Sequence, residues 1–318
     1  MRKKIDMDII KRHPLNPIIT RHDVPYPCNT VFNAAACKYN GEYLLLLRIE
    51  DFEGKSHLTL ARSHDGLDFK VDEKPWILPS TDPYFEPYER RGVEDPRITP
   101  LEGKYYITYT AYGPYGVRVG IGVTEDFKKF ERISLATDVD NKDGVLFPEK
   151  INGKYAMITR PAGRGGKMNL MWITYSPDLI HWGESRVLMF FSPGGWSTFK
   201  MGASTPPIKT ENGWLVLFHG VRETGGGVIY RVGAMLLNLE APHIIEAYTP
   251  FYIFGPSEEY ERVGDVPNVV FPCGIILEEN NELKIYYGAA DTCIALATAN
   301  LEDILKVCYK VPRTLKKP

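Results

Sequence analysis

The polar and apolar positions of this chain fall into one pattern that recurs five times. Each unit is a short apolar strand, a turn carrying Asn or Gly, and a second strand rich in Tyr, Leu, Ile and Val. The units read FNAAACKYNGEYLLLLR, VEDPRITPLEGKYYITYTAY, LFPEKINGKYAMITRPA, ASTPPIKTENGWLVLFHG and FPCGIILEENNELKIYYGAAD. Their turns fall near Gly41, Gly103, Gly153, Gly213 and Asn281, roughly 50–70 residues apart. Asn-Gly at such a turn supplies the positive φ angles that a tight hairpin needs. The strands are β-branched and aromatic and lack a helical period.

A third apolar stretch follows each hairpin: HLTLARS, VRVGIGVT, LMWITYS, YRVGAMLL and CIALATAN. After three of these comes a turn and an aromatic, in SHDGLDF, TEDFKKF and SPDLIHW, from which a fourth strand such as RVLMF can leave. Five four-stranded units at this period predict an all-β chain folded as a five-bladed β-propeller. The alternative is a β-sandwich with irregular loops. Only LEDILKVCY near the C-terminus predicts a helix. With no linker in view, residues 1–318 are expected to form one domain. Residues 1 to about 31 then lead into or close the ring, and about 300–318 form a C-terminal extension.

Composition narrows the classes. Of 318 residues 44% are hydrophobic, enough for a large core, so disorder is not the dominant state. The formal charge is −2 and the basic residues are scattered, which argues against a nucleic-acid partner. No apolar run approaches the ~20 residues of a membrane span, and the basic N-terminus lacks the apolar core of a secretory signal. The expected setting is cytoplasmic, without a membrane partner; oligomeric state is left open and a homo-oligomer is compatible. Cys28, Cys37, Cys273, Cys293 and Cys308 are odd in number and contain no CxxC, so they are expected as free thiols. No H-x-H, HExxH or EF-hand spacing suggests a metal.

Aligning the units on their turns groups the polar residues. Asn33 and Asp95 lie eight residues before Gly41 and Gly103, Arg48 and Arg160 seven after Gly41 and Gly153, and His219 six after Gly213. Asp291 follows the last apolar strand. The start of a hairpin's first strand and the end of its second lie at the same end of the pair. In a propeller these six residues therefore converge on one mouth, although each alone reads as a solvated loop residue. Asp95 precedes Pro96, which predicts an extended conformation at the acid. Lys142 and Lys200 lie just upstream of the third and fourth first strands and can reach the same mouth. The basic members then outnumber Asp95 and Asp291. Clustered like charge is costly unless an anion fills it, and phosphate, with its bidentate arginine contacts, fits. The plainer reading has the lysines snorkelling to water.

Taken together, GVEDPRIT, KYYITYTAYG, NKDGVLFPEKING, SPDLIHWG, GWLVLFHGV, YERVGDVPNVVFPCG and IYYGAADT, in this order, resemble glycoside hydrolase family 130, the β-mannoside phosphorylases. The resemblance runs over most of the chain and implies a five-bladed β-propeller. It also implies an inverting phosphorylase that cleaves a β-1,4- or β-1,2-mannoside with inorganic phosphate to give α-mannose 1-phosphate, without a cofactor. On this likeness Asp95 matches the single catalytic acid, and Asn33, Arg48 and Asp291 the residues that hold the mannosyl unit. Lys142, Arg160, Lys200, His219 and Tyr230 match the phosphate site. Glu94 and Arg97 are expected to support Asp95 beside the substrate, with Asp95 protonated in the reactive complex. A β-mannosidase on the same scaffold and a non-catalytic glycan-binding propeller are the rivals. Trp76, Tyr84, Tyr112, Tyr115 and Trp196 are candidates to stack on sugar rings, against ordinary packing. The loops Asp82–Arg91 and Gly163–Met168 are expected to choose the acceptor.

Overall fold

A computed structural model describes residues 9–162, 170–189 and 195–311; the predicted acceptor loop Gly163–Met168 lies outside them. The fold is all-β, and the described residues form antiparallel hairpins and three short helices, one of them Leu301–Lys306 where LEDILKVCY predicts it. Asn300 caps that helix, its side chain accepting from the Glu302 N–H at 2.9 Å.

The predicted hairpins form. Thr30–Tyr39 pairs with Glu42–Glu50, Gly92–Leu101 with Lys104–Gly113, Asn141–Leu146 with Tyr155–Pro161, and Val270–Leu277 with Glu282–Ala289. In the fourth unit Lys200–Ala203 and Ile208–Thr210 both pair with Gly213–Thr224. At Asn40-Gly41, Glu102-Gly103 and Asn152-Gly153 both turn residues have positive φ, as two-residue hairpin turns of this twist require. Third strands follow at Ser56–Ser63, Gly116–Thr124, Met171–Ser176, Gly227–Leu237 and Cys293–Asn300.

One device turns the chain after three of these strands. A Ser or Thr hydroxyl accepts the N–H three residues on: Ser63 from Gly66 at 2.9 Å, Thr124 from Phe127 at 2.9 Å and Ser176 from Leu179 at 2.8 Å. The acid two residues later then caps the next turn, as Asp178 does by accepting from the Ile180 and His181 N–H groups at 2.9 and 2.8 Å. Such local side-chain bonds satisfy backbone donors that a turn would otherwise strand. They are the reason SHDGLDF, TEDFKKF and SPDLIHW look alike.

The sheets meet through their first strands. Thr30–Tyr39 packs against Gly92–Leu101, that strand against Asn141–Leu146, and Asn141–Leu146 against Lys200–Ala203; Val270–Leu277 returns to Thr30–Tyr39. The N-terminus supplies an outer strand to the last sheet, where Lys11–Arg12 pairs with Cys293–Asn300. Arg12 then forks onto Glu261, Nε to Oε1 at 2.8 Å and Nη2 to Oε2 at 2.9 Å. The five cysteines are free thiols, four of them buried. No helix among the described residues is long and apolar enough to cross a membrane.

Three first strands carry the same irregularity. Their register slips between Phe32 and Ala35, between Glu94 and Arg97, and between Lys142 and Val145. In each, two residues face one on the partner strand, which defines a β-bulge. The first residue of each bulge has positive φ: Asn33 at 51°, Asp95 at 46° and Asp143 at 56°. Glycine usually fills such a position, and Asn and Asp are the side chains that tolerate it best. The extended conformation predicted for Asp95 is therefore wrong. Pro96 constrains it less than the bulge does, and the bulge turns the carboxyl off the strand's regular alternation.

Candidate active site

The bulges bring the sequence-predicted residues together. Asn33 Nδ2 donates to Asp95 Oδ1 at 2.8 Å, and Arg48 Nη1 donates to the same oxygen at 2.8 Å. The other oxygen of Asp95, Oδ2, takes no hydrogen bond among the described residues. Arg48 is held on every side: Nη2 donates to Glu94 Oε1 at 3.1 Å, Nε to Ser56 Oγ at 2.9 Å, and the guanidinium lies 4.4 Å from the Phe32 ring centroid. Lys142 Nζ reaches Glu94 Oε2 at 3.3 Å.

A second cluster centres on Asp143, 2% exposed. Its Oδ2 accepts from Arg160 Nε at 2.5 Å and lies 3.3 Å from His219 Nε2. The other His219 nitrogen is 3.4 Å from Ser204 Oγ. Tyr230 stacks on His219 with centroids 6.1 Å apart, and Lys200 Nζ lies 4.9 Å from the Tyr230 ring.

Arg97 joins the two clusters. It is 1% exposed; Nη1 donates to the Asp95 carbonyl at 2.7 Å, Nε to the Ser204 carbonyl at 3.0 Å, and Nη2 is 3.9 Å from Asp143 Oδ1. Asp95, Arg160 and His219 thus lie around one buried guanidinium and share one end of the sheets. Arg97 braces the acid's backbone from beneath, which is the supporting place expected for it.

The electrostatics separate the carboxyls. Burial alone would raise Asp95, but Arg48, then Arg97 and Lys142, outweigh it and hold the group down to about 2. With these partners the carboxylate form of Asp95 is favoured in the unliganded site. Asp143 is also held well below the usual range, because Arg160, His219 and Arg97 overcome its burial. Asp291 goes the other way: burial pushes it up to about 7, Arg48 opposes, and Asp95 and Glu50 add repulsion. Lys200 drops to about 8, through burial and then the like charge of Arg160, with Asp143 opposing and Lys142 adding. Burial also lowers His219 and raises Tyr230.

Several expectations change. Lys142 and Lys200 stand on the first strands rather than upstream of them, since those strands begin at Asn141 and Lys200. The basic excess narrows once Asp143 and Glu94 are counted, because Asp143 engages Arg160 and Glu94 engages Arg48 and Lys142. Trp196, 3% exposed, stacks on Phe218 and is a core residue, while Trp76, half-buried, packs on Phe127 and Phe130 at the edge of the core. Tyr84 and Tyr115 are exposed, and Arg91 covers Tyr112 at 5.6 Å. The loop carrying Tyr84 is pinned by Glu89, fully buried, which accepts from Tyr109 Oη at 2.6 Å, Arg132 Nη2 at 2.8 Å and the Ser80 N–H at 2.8 Å.

Asp143 is the residue that sequence reasoning missed. The signal was present in NKDG: aligned on the bulge instead of the turn, Asp143 is the third member of the set with Asn33 and Asp95. Alignment on Gly153 hides it, because this hairpin arm is two residues longer. Among the described residues no group of His, Cys, Asp or Glu is placed to hold a metal ion.

The geometry accords with the comparisons to known proteins. Residues 1–310 match the Glyco_hydro_130 family model, described as beta-1,4-mannooligosaccharide phosphorylase. The chain is 35% identical to the beta-1,4-mannooligosaccharide phosphorylase of Ruminococcus albus, over 94% of this chain and 90% of that one. It is 36% identical to the 1,2-beta-oligomannan phosphorylase of a Thermoanaerobacter species, over 86% and 91%. Among solved structures, the beta-1,2-mannobiose phosphorylase of Listeria innocua in complex with beta-1,2-mannobiose superposes with a TM-score of 0.85. That match is 33% identical and covers 94% of this chain and 98% of the other.

Proposed function

The chain belongs to glycoside hydrolase family 130, and from that premise we propose that it is an inverting phosphorylase of β-mannosides, yielding α-mannose 1-phosphate. The fold is a single catalytic domain, a five-bladed β-propeller. The largest sheet divides into two blades at its one parallel bridge, Ser56 to Gly92, and the Lys11–Arg12 strand closes the last blade.

Asp95 is the acid. Asn33, Arg48 and Asp291 hold the mannosyl unit, and the open Oδ2 of Asp95 faces it. Lys142, Arg160, Lys200 and Tyr230 hold phosphate, with His219 at the floor of that subsite. A phosphate oxygen attacks the anomeric carbon as the glycosidic C–O bond breaks on the opposite face. The departing oxygen takes its proton from the sugar's 3-hydroxyl, which is replenished by Asp95. An ionised Asp95 must first gain that proton. An incoming phosphate offsets Lys142 and the neighbouring cations, and added negative charge raises a carboxyl's affinity for protons. Phosphate needs no base, whereas an inverting hydrolase needs a second carboxylate to activate water.

One observation carries this reading: Arg97 ties Asp95 to the Asp143–Arg160–His219 cluster, so one acid and a cationic subsite share one location. The test is product analysis by NMR after incubation with β-1,4- and β-1,2-mannobiose, with and without inorganic phosphate. α-Mannose 1-phosphate is expected from one of them. A hydrolase is favoured by one feature, Asp291, whose carboxyl near 7 suits a base; free mannose formed without phosphate supports that reading instead. Binding of either disaccharide with no turnover marks a glycan-binding module.

A further inference from the structure

Asp143 belongs to neither the acid nor the expected phosphate ligands, yet three of their neighbours converge on it. Its carboxylate is buried, stands on a strained bulge, and meets Arg160, His219 and Arg97. We propose that Asp143 is the positioning residue of the phosphate subsite: it grips Arg160 by Nε so that the guanidinium's remaining edge is presented to the anion. The proposal rests on the phosphorylase reading and adds a residue to that same subsite.

The chemistry follows from the shape of the guanidinium. Bidentate recognition of a phosphate uses two N–H groups on one edge of a planar fork. Asp143 Oδ2 occupies Nε at 2.5 Å, and neither Nη1 nor Nη2 of Arg160 makes a hydrogen bond among the described residues. The edge left over is the Nη1–Nη2 pair. The same oxygen faces His219 Nε2, which selects the Nε2–H tautomer and leaves Nδ1 to accept from Ser204. Asp143 also lets Arg97, Arg160 and Lys200 share a small volume, since a buried carboxylate offsets their repulsion. The backbone makes room for it: a Cβ on Gly202 would lie 2.1 Å from Asp143 Oδ2 and 2.6 Å from His219 Cε1.

A carboxylate that only stabilises the fold would give a different result from one that aims Arg160. The test compares wild type, Asp143→Asn, Arg160→Gln and the double variant, with thermal melting to establish folding. Binding of inorganic phosphate is measured by titration calorimetry, and KM for phosphate and for the cleaved mannobiose by initial rates. Asp143→Asn should weaken phosphate binding and raise its KM roughly 10- to 100-fold, the range for one hydrogen bond to a charged group, with the mannoside KM unmoved. The double variant should be no worse than Arg160→Gln, because the two residues act as one unit. Parallel rises in both KM values, or penalties that multiply, overturn the proposal.

Gly202→Ala is the second variant, which displaces the carboxylate without changing charge; unchanged phosphate affinity in a folded Gly202→Ala protein also overturns it. If the wild type binds phosphate but forms no sugar phosphate, the phosphorylase reading fails, and the calorimetry still decides the role of Asp143. A wild type that binds no phosphate refutes both.

Discussion

Arg48 and Asn33 both donate to a single oxygen of Asp95, at 2.8 Å each, and leave the second oxygen without a partner among the described residues. The acid is thereby fixed in direction while one face stays available. Fixing the first oxygen also ionises the group, so proton delivery depends on what else enters the site.

Asp95→Asn should abolish most turnover and keep the fold. Loss of a positioned acid costs typically 10²–10⁴-fold. The stability cost should stay below the ~3–5 kcal/mol of a stranded buried charge, because Glu94 still pairs with Arg48. Initial rates and a thermal melt check both parts; a variant retaining most of its rate removes Asp95 from the chemistry.

Phosphate use should weaken on the alkaline side. Lys200 sits at about 8, below a free lysine, so its charge disappears as pH rises through that value. The kcat/KM for phosphate should therefore fall above about pH 8, reporting the unliganded enzyme. Lys200→Met should lower kcat/KM and flatten this limb. A limb that survives the substitution belongs to another group.

Asp291→Asn should stabilise the protein at pH 8 while impairing catalysis. Its folded value, about 7, is above that of an unfolded aspartate, so the native state binds more protons between about pH 4 and 7. Stability attributable to this group is present below pH 4 and lost as pH rises to 7. Removing the charge should recover on the order of 1–3 kcal/mol at pH 8 and little at pH 4. Melts at the two pH values decide it, and a lower melting temperature at pH 8 would contradict the argument that burial disfavours the charged carboxylate.

Glu89→Ala should destabilise the protein by roughly 3–5 kcal/mol, since it strands the Arg132 guanidinium. It should also release the loop bearing Tyr84, and so raise the KM for acceptor sugars in the synthetic direction more than that for α-mannose 1-phosphate. Equal changes in both would place this loop away from the acceptor.

Much of this was legible in the sequence because hairpins repeat. Asn-Gly turns, apolar third strands and the Ser/Thr-x-Asp turn recur at intervals of roughly 50–70 residues, and hairpin geometry alone groups Asn33, Arg48, Asp95, Arg160 and His219. Side-chain direction was not legible. Whether Asp95 is extended or left-handed depends on a bulge, and a bulge is a pairing slip visible only when both strands are known. The charge balance was read too basic for a related reason: an alignment on Gly153 passes over Asp143 until its strand is placed. The burial of Arg97 and Trp196 follows from long-range packing, which local pattern does not encode.

The pairing of Lys11–Arg12 with Cys293–Asn300, locked by Arg12 on Glu261, has a consequence for how the protein is made. Lys11 and Arg12 find these partners only after residues 261–300, about 250 positions further along the chain, have been made. Until then the final sheet lacks its outer strand and the Glu261 carboxylate its counter-charge. The last sheet is therefore completed through contacts of very long sequence separation, the kind that forms slowly.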